Sequence, residues 1–285
     1  LPRAASSEAR PLIDHALEVF VGDELADRLR ALAGEPSNSS TTSDLEGAWQ
    51  RAVSDARSLA SRAPSLEAWR STLQPLEEHG CDVVFLLDAT RSMGEALPLL
   101  KESSAWLLPG LAWGVPSCRV GLVLYRDEVL DAAGLSIEPE REVLPLLLST
   151  RAEGGGDVPE GVREAIEEGL SLGKFAWRED AAKHLIVVGD QPPRYEEIRA
   201  LESLVANARR DGQYSFHFLG IPEEGSEGVA FFDRFAKAGG GRHANGPATV
   251  IGREAAACVL GADDPTIVSE LFDVLPRIFG GTTGE

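Results

Sequence analysis

The chain is poor in cysteine and in basic residues, and each shortage excludes a class of protein. Its three cysteines, among 285 residues, show neither a CxxC pair nor the spacing of a zinc site. Lysine and arginine number 27 against 46 aspartates and glutamates, so the formal net charge at pH 7 is -19. Because nucleic acids and anionic membranes both require basic surface, neither is expected to be a general partner of this chain. No apolar run approaches the length that spans a bilayer, so we predict no membrane-spanning segment.

The start of the chain and the cysteine positions add two expectations. The sequence begins at Leu1 and its only methionine is Met93, which indicates a processed or trimmed piece of a longer protein. Cys81 and Cys118 each immediately precede an apolar strand candidate. Neighbouring strands would bring the two thiols within reach of a disulfide, although a pair of buried free thiols is the favoured interpretation.

Helical and strand patterns divide the chain into three parts. In the first part apolar residues recur at helical spacing on either side of a polar segment, which predicts a small helical module. Further on, short apolar runs alternate with helical patterns, and 129–137 follows a tight turn as an antiparallel edge strand. This alternation predicts an α/β fold with a doubly wound, mostly parallel sheet covered by helices on both faces. We place the helical module at 1–78, the α/β domain at 79–262, and a C-terminal helix and tail at 263–285.

The apolar run at 83–87 ends at three oxygen-bearing residues on alternate positions. Such an unbroken run is typical of a strand buried on both faces, and it is followed by Asp88, Thr90 and Ser92. Alternate residues of an extended loop point to the same side, so one carboxylate and two hydroxyls are expected to meet where open α/β sheets bind their ligands. Oxygen donors without Cys or His suit Mg2+, Mn2+ or Ca2+. These residues are also common in turns and helix caps, so a capping role for Thr90 or Ser92 stays open.

Two later stretches carry carboxylates at comparable positions. EGGGDVPE at 153–160 places Asp157 between a glycine-rich loop and the start of a helix, and HLIVVGDQPP at 184–193 places Asp190 directly after a short buried strand. The ends of parallel strands share one edge of a sheet, so Asp88 and Asp190 are expected there together, with Asp157 able to reach the same spot. Carboxylates this close repel one another unless protons or a cation intervene, and a divalent ion with an oxygen shell satisfies them.

Taken together, residues 81–260 resemble a von Willebrand factor type A (VWA) domain. DATRS at 88–92 matches that family's metal-ion-dependent adhesion site (MIDAS) pattern D-x-[ST]-x-S, with threonine where serine is commoner. GGGDVPE at 154–160 resembles the second metal loop of many bacterial members, which favours a bacterial source, and VVGDQPP at 187–193 resembles the third metal loop. The resemblance implies a Rossmann-like fold and one bound Mg2+ ion, or Mn2+ or Ca2+. Its implied ligands are Asp88, Thr90, Ser92, Asp157 and Asp190.

The resemblance also implies a function in protein binding. In such domains one coordination position of the ion stays open, and a glutamate or aspartate of a protein partner fills it. Arg91 stands where similar bacterial sequences often carry glycine. Its guanidinium at the rim of the site would assist an acidic partner, although a side chain that points away has no such role. We therefore predict a non-enzymatic adhesion or scaffold module that depends on a metal ion.

Two other functions stay open. A structural VWA domain would keep the fold with a site that is empty or only stabilising. A Mg2+-dependent hydrolase or phosphotransferase would use a strand-end aspartate as its nucleophile, but such enzymes typically carry a second aspartate two residues on, where this chain has Thr90. Calorimetric titration with Mg2+ tests the structural alternative, and a phosphatase assay on Asp88→Asn tests the enzymatic one.

Overall fold

The computed structural model describes residues 76, 78–115, 117–155, 161–222 and 231–261. The helical module predicted at 1–78 and the C-terminal helix and tail predicted at 263–285 lie almost wholly outside these ranges, so both stay predictions. Asp157 lies between residues 155 and 161 and is also outside the described residues.

Six strands form one sheet in the order β3-β2-β1-β4-β5-β6. Every neighbouring pair is parallel except β2 with β3, which is antiparallel and places β3 at an edge. The prediction of a mostly parallel sheet with one antiparallel edge strand is therefore confirmed. In chain order the strands are β1 (Cys81–Asp88), β2 (Cys118–Tyr125), β3 (Val129–Ser136), β4 (Ala182–Gly189), β5 (Tyr214–Gly220) and β6 (Gly240–Asn245).

Helices cover both faces of the sheet, which explains why the central strands are apolar along their length. In β1 every residue except the half-buried Phe85 is buried, whereas the edge strand β3 exposes Leu130 and Asp131. In chain order the helices of the described ranges are α1 (Ala96–Gly114), α2 (Pro139–Ser149), α3 (Val162–Gly169), α4 (Leu172–Phe175), α5 (Ile198–Gly212), α6 (Phe232–Gly239) and α7 (Ala248–Leu260).

The two faces have separate hydrophobic cores. Helices α1, α2 and α7 pack on one face, and α3, α4, α5 and α6 pack on the other. This two-layer cover is the doubly wound arrangement that the alternating sequence pattern predicts. Within the part of the chain that the structure describes, none of the helices combines the length and apolar character needed to cross a membrane.

A buried ion cluster holds the amino end of β1. Asp82 is fully buried and accepts hydrogen bonds from Arg119 (Nε to Oδ1, 2.9 Å; Nη2 to Oδ2, 2.6 Å) and from Arg178 (Nη2 to Oδ1, 2.6 Å; N to Oδ2, 2.9 Å). Burial alone would raise the pKa of Asp82, but the hydrogen bonds from the two arginines outweigh burial and lower it. Arg178 also donates to the carbonyls of Cys81 and Ser117, so the cluster ties β1, β2 and the approach to β4 together.

The core also contains two pairs of polar side chains on neighbouring strands. Cys81 and Cys118 are Cα neighbours in the register of β1 and β2, and both are buried free thiols. His184 on β4 and His217 on β5 are joined by a hydrogen bond of 3.1 Å between Nδ1 and Nε2. Nδ1 of His217 accepts from the backbone N of Arg242 at 3.0 Å, so this pair is part of the packing of the sheet.

Candidate functional site

The candidate site lies between β1 and β4, where the order of the strands reverses. From β1 the chain continues to β2 and β3 on one side, and it returns with β4 to the other side of β1. Connections that leave such a switch point in opposite directions open a crevice at the carboxyl ends of the strands. Asp88 is the last residue of β1, and Asp190 directly follows the last residue of β4. The structure therefore brings these two predicted site residues to one edge.

The segment at the carboxyl end of β1, residues 88–92, is named loop 1 here. Asp88 is fully buried, and its Oδ1 accepts a 2.8 Å hydrogen bond from the backbone N of Thr90. A short acidic side chain can accept from the backbone two residues further on, and this contact turns the chain directly after the strand. The other carboxylate oxygen of Asp88, Oδ2, is buried and receives no hydrogen bond from any donor in the described ranges.

Asp190 lies beside Asp88 across the ends of the two strands and is only 2% exposed. Gly189 makes this approach possible, because a Cβ at that position would lie 3.2 Å from Asp88 Oδ2 and 2.9 Å from the hydroxyl oxygen of Tyr125. Burial raises the pKa of Asp88 to about 7, with a contribution from the charge of Asp190, while the hydrogen bonds from Thr90 oppose the rise. The charge of Asp190 thus disfavours the ionised form of Asp88.

Thr90 and Ser92 add two hydroxyl groups to this crevice. Thr90 is 1% exposed and Ser92 is exposed, and their hydroxyl oxygens are 2.9 Å apart. A short 3-10 helix (Arg91–Gly94) follows Thr90, and α1 begins at Ala96. Neither helix has a side-chain hydrogen bond at its N-cap. Thr90 occupies the N-cap position of the 3-10 helix, but its hydroxyl is bonded to the hydroxyl of Ser92 and makes no capping hydrogen bond.

The segment at residues 150–155, named loop 2 here, pairs with loop 1 through two backbone hydrogen bonds. The N of Arg91 donates to the carbonyl of Gly154 at 3.0 Å, and the N of Glu153 donates to the carbonyl of Ala89 at 3.2 Å. Gly154 and Gly155 have φ angles of +70° and +66°, which glycine adopts without strain. Loop 2 leads towards Asp157, whose role as a ligand stays a prediction.

Two arginines that sequence analysis did not single out form hydrogen bonds with distant segments of the chain. Arg126 follows β2, and its side chain donates to the carbonyls of Ala89 and Arg151. Arg194 donates to Glu164 Oε1 at 2.6 Å and to the carbonyl of Asp127 at 2.9 Å. Their partners lie 25 to 67 positions away along the chain, so no local pattern reveals them. The predicted rim residue, Arg91, is exposed on the 3-10 helix.

The oxygen donors of the crevice fit a hard divalent cation. Two buried carboxylates meet there beside two hydroxyls, and one carboxylate oxygen of Asp88 lacks a hydrogen-bond donor in the described ranges. Across those ranges no three His, Cys, Asp or Glu side chains gather as a metal site. The candidate site therefore rests on the two aspartates together with the hydroxyls of Thr90 and Ser92.

Comparison with known proteins identifies the family. The von Willebrand factor type A domain family matches residues 82–244. A putative ariadne-like RING finger protein of Acanthamoeba polyphaga mimivirus is 29% identical over 110 residues, which cover 36% of this chain and 11% of the relative. The chain thus spans about a tenth of the length of that curated relative.

Two solved structures are similar at low sequence identity. The SpRpn10 VWA domain is 14% identical with a TM-score of 0.47, and the match covers 72% of this chain and 99% of that domain. The pilus adhesin SpaC of Lactobacillus rhamnosus GG, in its open conformation, is 14% identical with a TM-score of 0.46, and the match covers 70% of this chain and 30% of the adhesin.

Because the family match spans more than half of its residues, the chain belongs to the von Willebrand factor type A domain family. Domains of this family are general protein-interaction and adhesion modules, and they are generally non-catalytic. The family expected from the strand-end motifs is thus confirmed.

Proposed function

We propose that this chain binds a protein partner through a divalent cation held at the carboxyl ends of β1 and β4. The observation that supports this most directly is the buried pair of Asp88 and Asp190, in which Oδ2 of Asp88 receives no hydrogen bond from the described donors. Burial of a carboxylate oxygen such as Oδ2 of Asp88 without a donor is unfavourable, and a cation beside it would remove that cost.

Asp88, Thr90, Ser92 and Asp190 would hold the ion, and the sequence adds Asp157 to this set. Mg2+ suits these oxygen donors, and Mn2+ or Ca2+ can replace it. When bound, the ion supplies an electrophilic position for a glutamate or aspartate of the partner. Because two of the proposed ligands are neutral hydroxyls, they do not cancel the positive charge that attracts this carboxylate.

Arg91 would add a second positive charge to the partner-binding surface. It is exposed and lies between Thr90 and Ser92 in sequence, while its backbone is fixed to loop 2. A guanidinium forms charge-assisted hydrogen bonds with carboxylates, so an acidic segment of the partner would gain a contact beside the ion.

The cation part of the proposal is tested by calorimetric titration of the metal-free protein with Mg2+ and Mn2+. We expect binding heat from the unaltered chain and its loss in Asp88→Asn and Asp190→Asn. Asp180→Asn is the matched control, because Asp180 is exposed and precedes β4 at its opposite end. If the unaltered chain gives no heat at millimolar Mg2+, the structural VWA domain becomes the better interpretation.

The adhesion part is tested with immobilised peptides that differ only in Glu or Gln at one position. We expect retention of some Glu peptides over their Gln counterparts in Mg2+, and loss of this preference in EDTA and in Asp190→Asn. Arg91→Ala should weaken retention without changing the heat of Mg2+ binding. Retention that is equal in Mg2+ and EDTA would contradict the mechanism.

A further inference from the structure

Arg126, the first residue after β2, contacts both loops of the crevice with one side chain. Its Nε donates to the carbonyl of Ala89 in loop 1 at 3.0 Å, and its Nη2 donates to the carbonyl of Arg151 in loop 2 at 3.1 Å. The guanidinium also packs against Gly154, where a Cβ would lie 3.4 Å from Nη1. The guanidinium therefore fills the space between the two loops.

The backbone of Arg126 supplies a third attachment. Its carbonyl accepts a 2.7 Å hydrogen bond from the N of Gly161, and its own N donates to the carbonyl of Glu128 at 2.9 Å, which closes the turn between β2 and β3. A Cβ at Gly161 would lie 2.9 Å from the carbonyl oxygen of Arg126, so the close approach requires glycine. Arg126 thus contacts residues 151 and 154 through its side chain and residue 161 through its backbone.

These contacts require the geometry of arginine. A guanidinium is planar and carries donors on two edges, so it can serve two carbonyls that belong to different segments. A lysine ammonium is a single point on a flexible stem and cannot span Ala89 and Arg151 in the same way. Arginine itself is positively charged and is not a ligand for a cation.

We propose that Arg126 is a positioning residue of the candidate cation site: it fixes loop 1 against loop 2 and so sets where Asp88, Thr90 and Ser92 lie. Its effect on cation affinity rests on the proposed function. The contacts that join the two loops run between protein groups, so their effect can be measured separately from cation binding.

The joining of the loops is tested by hydrogen–deuterium exchange of the full chain in EDTA. In Arg126→Lys we expect faster exchange in peptides that cover 88–92 and 150–155, because the amides of Arg91 and Glu153 bridge the loops. Peptides from 83–87 in the core of β1 should keep their exchange rates, which also shows that the variant is folded. Arg199→Lys, an exposed change on α5, is the control and should alter neither region.

The positioning role is tested by the affinity of the same proteins for Mg2+. Residues that orient ligands without touching the metal typically change metal affinity by about 10- to 100-fold, and we expect Arg126→Lys to lower it within that range. In Arg126→Ala, added methylguanidinium should restore both the protection of the loops and the affinity for Mg2+. The same compound should do nothing for Asp88→Asn, which lacks a proposed ligand.

Each unfavourable result has a separate meaning. Unchanged exchange of both loops in Arg126→Lys and Arg126→Ala would overturn the joining role. Faster exchange with unchanged Mg2+ affinity would overturn the positioning role while leaving the cation site in place. If the unaltered chain binds no Mg2+, the proposed function fails together with the effect of Arg126 on affinity, and the exchange data alone decide whether Arg126 joins the loops.

Discussion

Asp82 and Asp88 are both buried in β1, at its two ends, yet among the described residues cationic side chains contact Asp82 and not Asp88. Arg119 and Arg178 hydrogen-bond Asp82 and lower its pKa, whereas burial beside Asp190 raises the pKa of Asp88 to about 7. The two carboxyl groups lie in the same strand, yet their pKa values are shifted in opposite directions because their neighbours differ. A carboxylate kept buried without a matching charge marks a candidate binding position.

Asp88→Asn is expected to stabilise the metal-free domain. The amide keeps an oxygen for the N of Thr90, removes a negative charge beside Asp190, and can donate a hydrogen bond to it. We expect a gain of about 1 to 3 kcal/mol in the free energy of unfolding at pH 8 in EDTA, measured by urea titration.

The increase in the free energy of unfolding in Asp88→Asn should be smaller at pH 5 than at pH 8. The pKa of Asp88 is about 7 in the folded metal-free protein, whereas the ordinary value for an aspartate is 3.8. The folded state therefore keeps a proton that the unfolded chain loses, and the free energy of unfolding falls as the pH rises from about 4 to 7. Mg2+ should stabilise the unaltered chain and leave Asp88→Asn unchanged. A loss of stability in this variant at pH 8 would mean that the charge of Asp88 is already matched in the metal-free protein.

Thr90→Val and Thr90→Ser should have different effects on the cation. Valine keeps the shape of this buried side chain but removes the hydroxyl that lies 2.9 Å from the oxygen of Ser92. We expect Thr90→Val to weaken Mg2+ binding by at least about tenfold, which corresponds to one lost interaction of about 1.4 kcal/mol. Thr90→Ser, which keeps the hydroxyl, should bind Mg2+ nearly as the unaltered chain does. Equal affinities in the two variants, by calorimetry, would remove Thr90 from the proposed ligand set.

The hydrogen-bonded pair of His184 and His217 predicts a loss of stability in mild acid. Burial lowers the pKa of His184 to about 4 and that of His217 to about 3, with the charges of His184 and Arg242 adding to the effect at His217. Both rings are therefore neutral in the folded state. In the unfolded chain the same histidines bind protons below their ordinary pKa of 6.5.

As the pH is lowered from 6.5 to 4, the free energy of unfolding should fall by up to about 1.4 kcal/mol per pH unit for each ring. His184→Gln keeps an acceptor for Nε2 of His217 and should roughly halve this slope in urea titrations. A slope that does not change in this variant would locate the pH dependence elsewhere in the chain.

Asp82→Ala is expected to damage the fold and leave the chemistry at the other end of β1 intact. Removal of one member of a buried ion cluster leaves Arg119 and Arg178 without their carboxylate, which typically costs about 3 to 5 kcal/mol. The unaltered protein should lose stability as the pH falls below about 4, because the pKa of Asp82 is lowered in the folded state. Mg2+ affinity per folded molecule should stay the same, and a parallel loss of affinity would show that the two ends of β1 are coupled.

The spacing of apolar residues predicted the order of the strands along the chain. It did not predict the ends of elements that begin with polar residues or glycine. The apolar run at 185–188 marks only the later half of β4, because Ala182–Gly189 begins with residues that are not fully buried. β6 begins at a glycine pair that no apolar pattern marks, since a Cβ on Gly241 would lie 2.0 Å from the carbonyl oxygen of Phe216 and glycine alone allows that pairing. A 3-10 turn at Arg91–Gly94 precedes α1, which begins at Ala96.

The site was predictable as far as residue types and strand ends define it. The motif at 88–92 and the strand before Asp190 predicted one shared edge, and the structure places both aspartates there. The arginine contacts were not predictable, because Arg178 and Asp82 are separated by 96 positions, and Arg126 and Ala89 by 37. Only the folded sheet shows which acidic groups meet a guanidinium.

The two ends of β1 also differ in which groups compensate the charge of the buried aspartate. At the amino end the chain carries its own counter-ions, because Arg119 and Arg178 compensate the charge of Asp82 in the folded sheet. At the carboxyl end two acidic side chains meet, and Oδ2 of Asp88 receives no hydrogen bond from a donor in the described ranges. Under the proposed function, the ionic composition of the medium would therefore act on one edge of the sheet while the opposite edge stays insensitive to it.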